Sequence, residues 1–162
     1  MPPGKMIIKL SDFLRYSLGE SERKLVPLKA EIDFIRLYLD IEKVRFGDKL
    51  VAEWDIPEKC MESKLPNMIL QPVYENAIKH GVYESQEVVF IRTVCRADEN
   101  ELVLTIENNF DPESLPRKGK GMGLENIRKR MQLIYLQDDL VTVTRKDSVF
   151  SVTLRVPQGD YH

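Results

Sequence analysis

The sequence predicts an α+β protein: a two-layer sandwich of one sheet with helices on one face, preceded by a helical segment. Three observations predict it. Apolar residues recur at helical spacing up to Gly47 and alternate from Lys49 onward. From residue 49 the signals run strand, helix, strand, strand, long loop, helix, strand, strand. Two of the strand pairs are joined by short polar turns, at Asp98-Glu99-Asn100 and around Lys146-Asp147, which marks antiparallel hairpins. That order is not alternating βαβα, so a nucleotide, if bound, is not held by a doubly wound sheet.

The elements follow in chain order. Residues 5–18, "KMIIKLSDFLRYSL", place Met6, Ile7, Leu10, Phe13 and Leu14 at helical spacing, and Gly19 ends that helix. "GESERKLVP" reads as a polar connector. "LKAEIDFIRLYLDIEKVRFG" puts Leu28, Ile32, Ile35 and Leu39 on one face, with Phe34, Tyr38 and Ile41 beside it; Pro27 opens it and Gly47 closes it. Two helices in succession suggest a helical hairpin whose wide stripes pack either on the rest of this chain or on a second subunit. "KLVAEWDI" alternates Leu50, Ala52, Trp54 and Ile56 as a strand does. A loop with Pro57 and Cys60 leads to a helix bounded by Pro66 and Gly81. "EVVFIRTVCRA" and "ELVLTIEN" are strands. "NFDPESLPRKGKGMG" is a break rich in Pro, Gly and charge. "LENIRKRMQLIY" is helical through Ile127, Met131 and Ile134, and "DLVTVTRK" with "SVFSVTLRVP" forms the last hairpin.

Composition narrows the function classes. The 162 residues suffice for one domain with a real core. With 24 basic and 26 acidic residues the net charge is −2, which gives no reason to expect nucleic acid or an anionic membrane as partner. Cys60 and Cys95 stand far apart in no metal-like spacing and read as free thiols in a reducing cytoplasm. No apolar run reaches the ~18 residues that span a bilayer, and the apolar part of "MPPGKMIIKL" is too short for a signal peptide.

Two segments carry candidate chemistry. In "ILQPVYENAIKHG", Asn76 sits mid-helix, where asparagine is a poor helix former. Lys79 is three residues on and shares its face. A carboxamide oxygen suits Mg²⁺, a lysine one turn away can neutralise phosphate, and Glu75 can polarise a nucleophile. The alternative is a solvated polar face, with Lys79 and His80 favouring a helix C-terminus. Pro72 requires that the helix begin near Leu70 or bend there. In "KGKGMGLENIRKR", Gly119, Gly121 and Gly123 precede a helix N-terminus, and Lys118 and Lys120 add charge. This is either a phosphate cradle or a flexible surface loop, and it is neither a P-loop nor a dinucleotide fingerprint.

Taken together, these segments resemble the GHKL ATPases. "LQPVYENAIKHG" resembles their N box and "KGKGMGLENIRKRM" their glycine-rich G2 box. "LSDFLRYSL" followed by "VPLKAEIDFIRLYLDIEKVRFGDKL" is similar to the linker region of LytS-type sensor histidine kinases. The resemblance covers about residues 5–157. It implies a Bergerat-type sandwich over residues 48–158, with partial dimerisation and linker helices over 1–47. It also implies ATP and Mg²⁺ as cofactors. Asn76 would bind Mg²⁺, and Glu75, Asn76 and Lys79 would form the catalytic set. Lys79 and His80 would lie beside the phosphates. Gly119, Gly121, Gly123 and Leu124 would line the nucleotide, with Asn126 and Arg128 as further lid contacts.

The Asp-x-Gly-x-Gly element that reads adenine in these proteins is replaced by Asn108-Asn109-Phe110-Asp111-Pro112. Asn108 keeps an acceptor oxygen but loses charge assistance, about 1 kcal/mol of binding, and loss of the glycines stiffens the turn. The Pro-His-Phe acceptor segment of histidine kinases has no counterpart, since His80 belongs to the N box and His162 is terminal. The resemblance thus implies a segment that binds nucleotide and phosphorylates a histidine elsewhere. It further implies a parent homodimer through the helical region, a LytTR-type response regulator as partner, and a cytoplasmic domain of a membrane-anchored protein. The alternatives are a catalytically impaired interaction module, a serine kinase of anti-sigma type, and a plain ATPase.

Overall fold

The computed structural model describes residues 24–82, 87–111 and 122–159. Its elements are β1 (Leu25–Pro27), α1 (Leu28–Phe46), β2 (Leu50–Asp55), β3 (Lys64–Pro66), α2 (Gln71–Ala77, continued by a π-helical turn Ile78–Val82), β4 (Val89–Ala97), β5 (Glu101–Asn109), α3 (Met122–Tyr135), β6 (Val141–Lys146) and β7 (Val149–Pro157). Expected strands and helices appear in the expected order from Leu28 on. The helix expected at residues 5–18 lies outside the described residues.

The end of the stretch read as a connector is a strand. β1 pairs antiparallel with β3, and Val26 and Leu65 are buried there. This ribbon seats the start of α1. Pro27 caps the helix without a side-chain hydrogen bond. Instead Leu28 N donates to Ser63 O at 2.7 Å and Lys29 N to Met61 O at 3.0 Å, so main-chain carbonyls before β3 satisfy two of the helix's orphan donors. At the other end Gly47 adopts φ 55°, its N–H donates to Lys43 O, and Lys43 and Arg45 lie in the last turn, where cations are favoured. Leu28, Ile32, Phe34, Ile35 and Leu39 are buried in the same core as the sheet. The stripe of α1 is therefore covered by its own chain.

The main sheet has five strands in the order β2-β4-β5-β7-β6. Three of its four pairings are antiparallel, but β2 and β4 run parallel, with Leu50 opposite Val89 and Trp54 opposite Thr93. The hairpin signals gave no hint of this. A parallel pair needs a crossover, and α2 supplies it by burying one side of itself. Alternation puts four rows on the inner face: Ile91, Asn108 and Phe150; Thr93, Ile106 and Val152; Cys95, Leu104 and Leu154; Ala97, Leu102 and Val156. Apart from Ala97, all of these are buried, whereas Arg92, Arg96 and Arg155 on the other face are exposed. The hairpins close as their turns dictate. Asp98 Oδ1 accepts from Asn100 N and Glu101 N at 2.7 and 2.9 Å. These backbone donors hold its carboxyl below the usual range. Asp147 and Ser148 both take positive φ, 51° and 65°, as a two-residue turn between twisted strands requires.

Cys60 and Cys95, distant in sequence, meet in the fold. Both are buried free thiols. Burial first, then the hydrogen bond to Cys60, raises the Cys95 thiol far above its ordinary value.

Candidate functional site

α2 begins at Gln71 with Leu70 as its cap residue, so Pro72 falls in the first turn, where its missing N–H costs no hydrogen bond. Of the two options the sequence left, the helix start is the one realised. Leu70, Val73, Tyr74, Ala77 and Ile78 form the buried stripe. Tyr74 is sealed completely; its hydroxyl hydrogen-bonds Thr93 Oγ1 and its ring stacks on Trp54, centroids 6.2 Å apart. Burial drives the Tyr74 hydroxyl pKa well up, against the opposing hydrogen bond to Thr93. With that stripe pinned, the other side of the helix is presented outward. Glu75, Asn76 and His80 are half-buried and Lys79 is exposed. Gln71 Nε2 donates to Glu75 Oε1 at 2.8 Å, which fixes the carboxylate one turn below.

The helix widens into its π turn and stops against the sheet. A methyl group on Gly81 would lie 2.6 Å from Val89 Cγ1, 3.4 Å from Asn109 O and 3.5 Å from Asn108 Nδ2. Only a residue without Cβ permits this approach, and it sets the end of the Asn76 helix beside Asn108. Asn108 is 3% exposed and faces the helices in the row with Ile91 and Phe150. Its Nδ2 donates to Asn109 O at 3.0 Å, which leaves Oδ1 as its acceptor. Asn109 Oδ1 accepts from Phe90 N at 2.8 Å and its Nδ2 donates to Val88 O at 3.0 Å, prolonging the β4–β5 ladder. Phe110 N donates to Ser148 O, and the Arg145 guanidinium lies 5.7 Å from the Phe110 ring centre.

The start of α3 meets the start of α2. A methyl group on Gly123 would sit 3.5 Å from Pro72 Cβ, and Leu124 is buried. Gly119 and Gly121 lie outside the described residues. Asn126 is exposed. Arg128, expected as a lid contact, donates to Val141 O at 2.9 Å and pairs with Glu125 at 3.9 Å, so it serves the packing of α3 on β6.

Three polar residues near the site were not singled out from the sequence. Glu31 is buried in α1, and its Oε1 accepts from Leu70 N at 3.4 Å. Arg130 Nη2 donates to Asn67 O at 2.8 Å. Glu42 on α1 has a buried Oε2 with no hydrogen-bond partner among the described residues. Its carboxyl is raised by burial and, secondarily, by the charge of Glu75, against the lowering influence of Arg45. A legible signal existed for Glu31: it interrupts the apolar stripe between Leu28 and Ile32.

The fold is that of the histidine kinase catalytic domain. The chain superposes with a TM-score of 0.62 on the histidine kinase AdeS of Acinetobacter baumannii, at 14% identity over 96% of this chain and 77% of that one. It reaches the same score with the nucleotide-free catalytic domain of histidine kinase ThkA, at 11% identity over 83% and 97%. A family model described as histidine kinase matches residues 3–50. The sensor histidine kinase BtsS of Escherichia coli K12 is 32% identical over 157 residues, 96% of this chain and 28% of that protein. The sensor protein LytS of Staphylococcus haemolyticus is 29% identical over 143 residues, 81% of this chain and 24% of that protein. These similarities support a LytS-type sensor histidine kinase fragment, and the chain spans about a quarter of the length of these curated relatives.

Proposed function

We propose that this chain is the ATP-binding catalytic part of a two-component sensor kinase, which transfers the γ-phosphate of ATP to a histidine outside this chain for relay to a response regulator. The observation that supports the reading is that α2 touches both other parts: its end at Gly81 lies against Asn108 of β5, and its start at Pro72 lies against Gly123 of α3. A helix N-terminus there offers unpaired N–H groups to phosphate. Asn108 Oδ1 is the acceptor for an adenine amino group.

The donor set fits magnesium. A magnesium ion here would take its oxygens from phosphate, water and the carboxamide of Asn76. Bound Mg²⁺ supplies charge neutralisation on the triphosphate. The chain's own residues then position. Lys79 and His80 lie beside the phosphates. Gly119, Gly121, Gly123 and Leu124 would line the nucleotide in this reading. Glu75, held by Gln71, orients the incoming acceptor. The proposed division assigns residues 1–47 to dimerisation and linker helices and 48–158 to the catalytic domain. α1 shares the catalytic core, so from Leu28 onward the two assigned parts pack together. In the parent protein the partners are a second copy, through the helical region, and a response regulator of LytTR type. Upstream segments anchor that parent in the cell membrane; among the described residues no helix is long and apolar enough to cross one.

The test is isothermal titration of the chain with ATP, with and without Mg²⁺, for wild type and Asn76→Ala. Saturable binding strengthened by Mg²⁺ in wild type, and loss of the Mg²⁺-dependent part in the variant, support the reading. Equal affinity of both proteins counts against the metal role. The second reading, an interaction module that has lost ATP, is favoured by the Asn108-Asn109-Phe110 replacement, and absence of any saturable nucleotide binding selects it.

A further inference from the structure

The segment joining β3 to α2, residues 67–70, is unusual in its backbone. Met68 takes φ 63°, a left-handed conformation that a long side chain adopts only when its surroundings impose it. Each residue around it is gripped. Asn67 N donates to Lys24 O at 2.8 Å, and Ile69 N to Pro66 O at 3.2 Å. Asn67 O accepts from Arg130 of α3 at 2.8 Å. Leu70 N, the cap residue of α2, donates to the Glu31 carboxylate of α1 at 3.4 Å. Glu31 and Asn67 are each 1% exposed; the Glu31 carboxyl group and the Asn67 main chain are hydrogen-bonded there, while Asn67 Oδ1 is buried with no partner among the described residues.

We propose that Glu31 and Arg130 are positioning residues for the helix that carries Asn76: they hold the left-handed link from α1 and from α3, and thereby set the affinity for a metal–triphosphate. The inference rests on the nucleotide reading above. Two features of geometry support it. Arg130 and Gly123 are seven residues apart on α3, about two turns, so they share a face. Through that face α3 touches the link at Asn67 and the first turn of α2 at Pro72. Asn76 stands six residues beyond Leu70, about 9 Å along the axis. A change in the direction in which the link launches the helix is therefore delivered to the carboxamide at the metal position. The two ends of the proposed site, Asn76 and the α3 N-terminus, are thus fixed to each other through Arg130, and both are fixed to α1 through Glu31.

The experiment titrates wild type, Arg130→Met, Arg130→Lys and Glu31→Gln with ATP, in Mg²⁺ and in EDTA, alongside thermal unfolding without nucleotide. Arg130→Met is expected to lose about tenfold of the Mg²⁺-dependent gain in affinity, the effect usual for removing outer support of a metal site. Its affinity in EDTA stays near the wild-type value. Arg130→Lys, which keeps a donor, restores part of the gain. Glu31→Gln, whose amide oxygen still accepts from Leu70 N–H, retains more of it than Arg130→Met. An unchanged Mg²⁺ gain in Arg130→Met, or equal weakening in Mg²⁺ and in EDTA, overturns the inference. If Arg130→Met does not fold, Arg130→Lys is read by the same criterion: a reduced Mg²⁺ gain supports the inference and a wild-type gain overturns it. A wild type that binds no nucleotide overturns the functional reading, and the inference falls with it.

Discussion

Gly81→Ala tests whether the close approach of the α2 terminus to the sheet is real. The new methyl group would lie 2.6 Å from Val89 Cγ1. Val89 is 1% exposed, and a β-branched side chain on a buried strand has little freedom to turn away. Gly81 is not among the residues with positive φ, so backbone strain is not the issue. Overpacking of this kind costs about 1–3 kcal/mol. Replacing glycine by alanine in a helical turn returns about 1 kcal/mol. The net expectation is a loss of about 0–2 kcal/mol, which for a chain of this size lowers the melting temperature by up to about 8 °C.

The assay is thermal unfolding of Gly81→Ala, Val89→Ala and the double variant. Val89→Ala removes the atoms the new methyl group strikes, so the two changes should couple, the double variant being more stable than the sum predicts by about 1 kcal/mol. The same displacement reaches Asn108 Nδ2 and Asn109 O, so nucleotide affinity should fall in Gly81→Ala and recover partly in the double variant. Strict additivity of Gly81→Ala with Val89→Ala refutes the contact.

Two further predictions follow from the interior polar groups. Tyr74→Phe strands the buried Thr93 hydroxyl and should cost about 1–3 kcal/mol; adding Thr93→Val should recover much of it, and chemical denaturation measures both. Glu42→Gln should raise the melting temperature near pH 7, because the folded state holds this carboxyl above its ordinary value of 4.5. The sign follows from linkage: a raised carboxyl binds its proton more tightly in the folded state. The contribution of Glu42 to stability is thus fully present below pH 4.5 and is lost as pH rises from there through the raised value. The advantage of the glutamine variant should shrink as pH is lowered through that window, and an advantage independent of pH would argue that packing, not charge, sets it.

The sequence by itself determined the elements and their order. Periodicity marked α1 from Leu28 to Gly47, the five strands of the main sheet, and both hairpins, because local propensity, capping and turn chemistry all agree there. It also singled out the N-box and G2 segments, because Asn76 mid-helix and three spaced glycines break local rules in ways a structural element alone does not require. It could not show which strands are neighbours. The parallel pairing of β2 with β4, the strand at Leu25–Pro27 and the meeting of Cys60 with Cys95 all depend on partners far away in the chain, and no local signal encodes them. The same holds for the supports of the candidate site. Gly81 looks like a helix stop until Val89 and Asn108 are placed against it, and Glu31 and Arg130 look like charges on amphipathic helices until the link at Met68 lies between them. Side-chain type and period are properties of a neighbourhood in sequence; burial and hydrogen-bond partnership are properties of a neighbourhood in space, and only the packed chain brings the second into being.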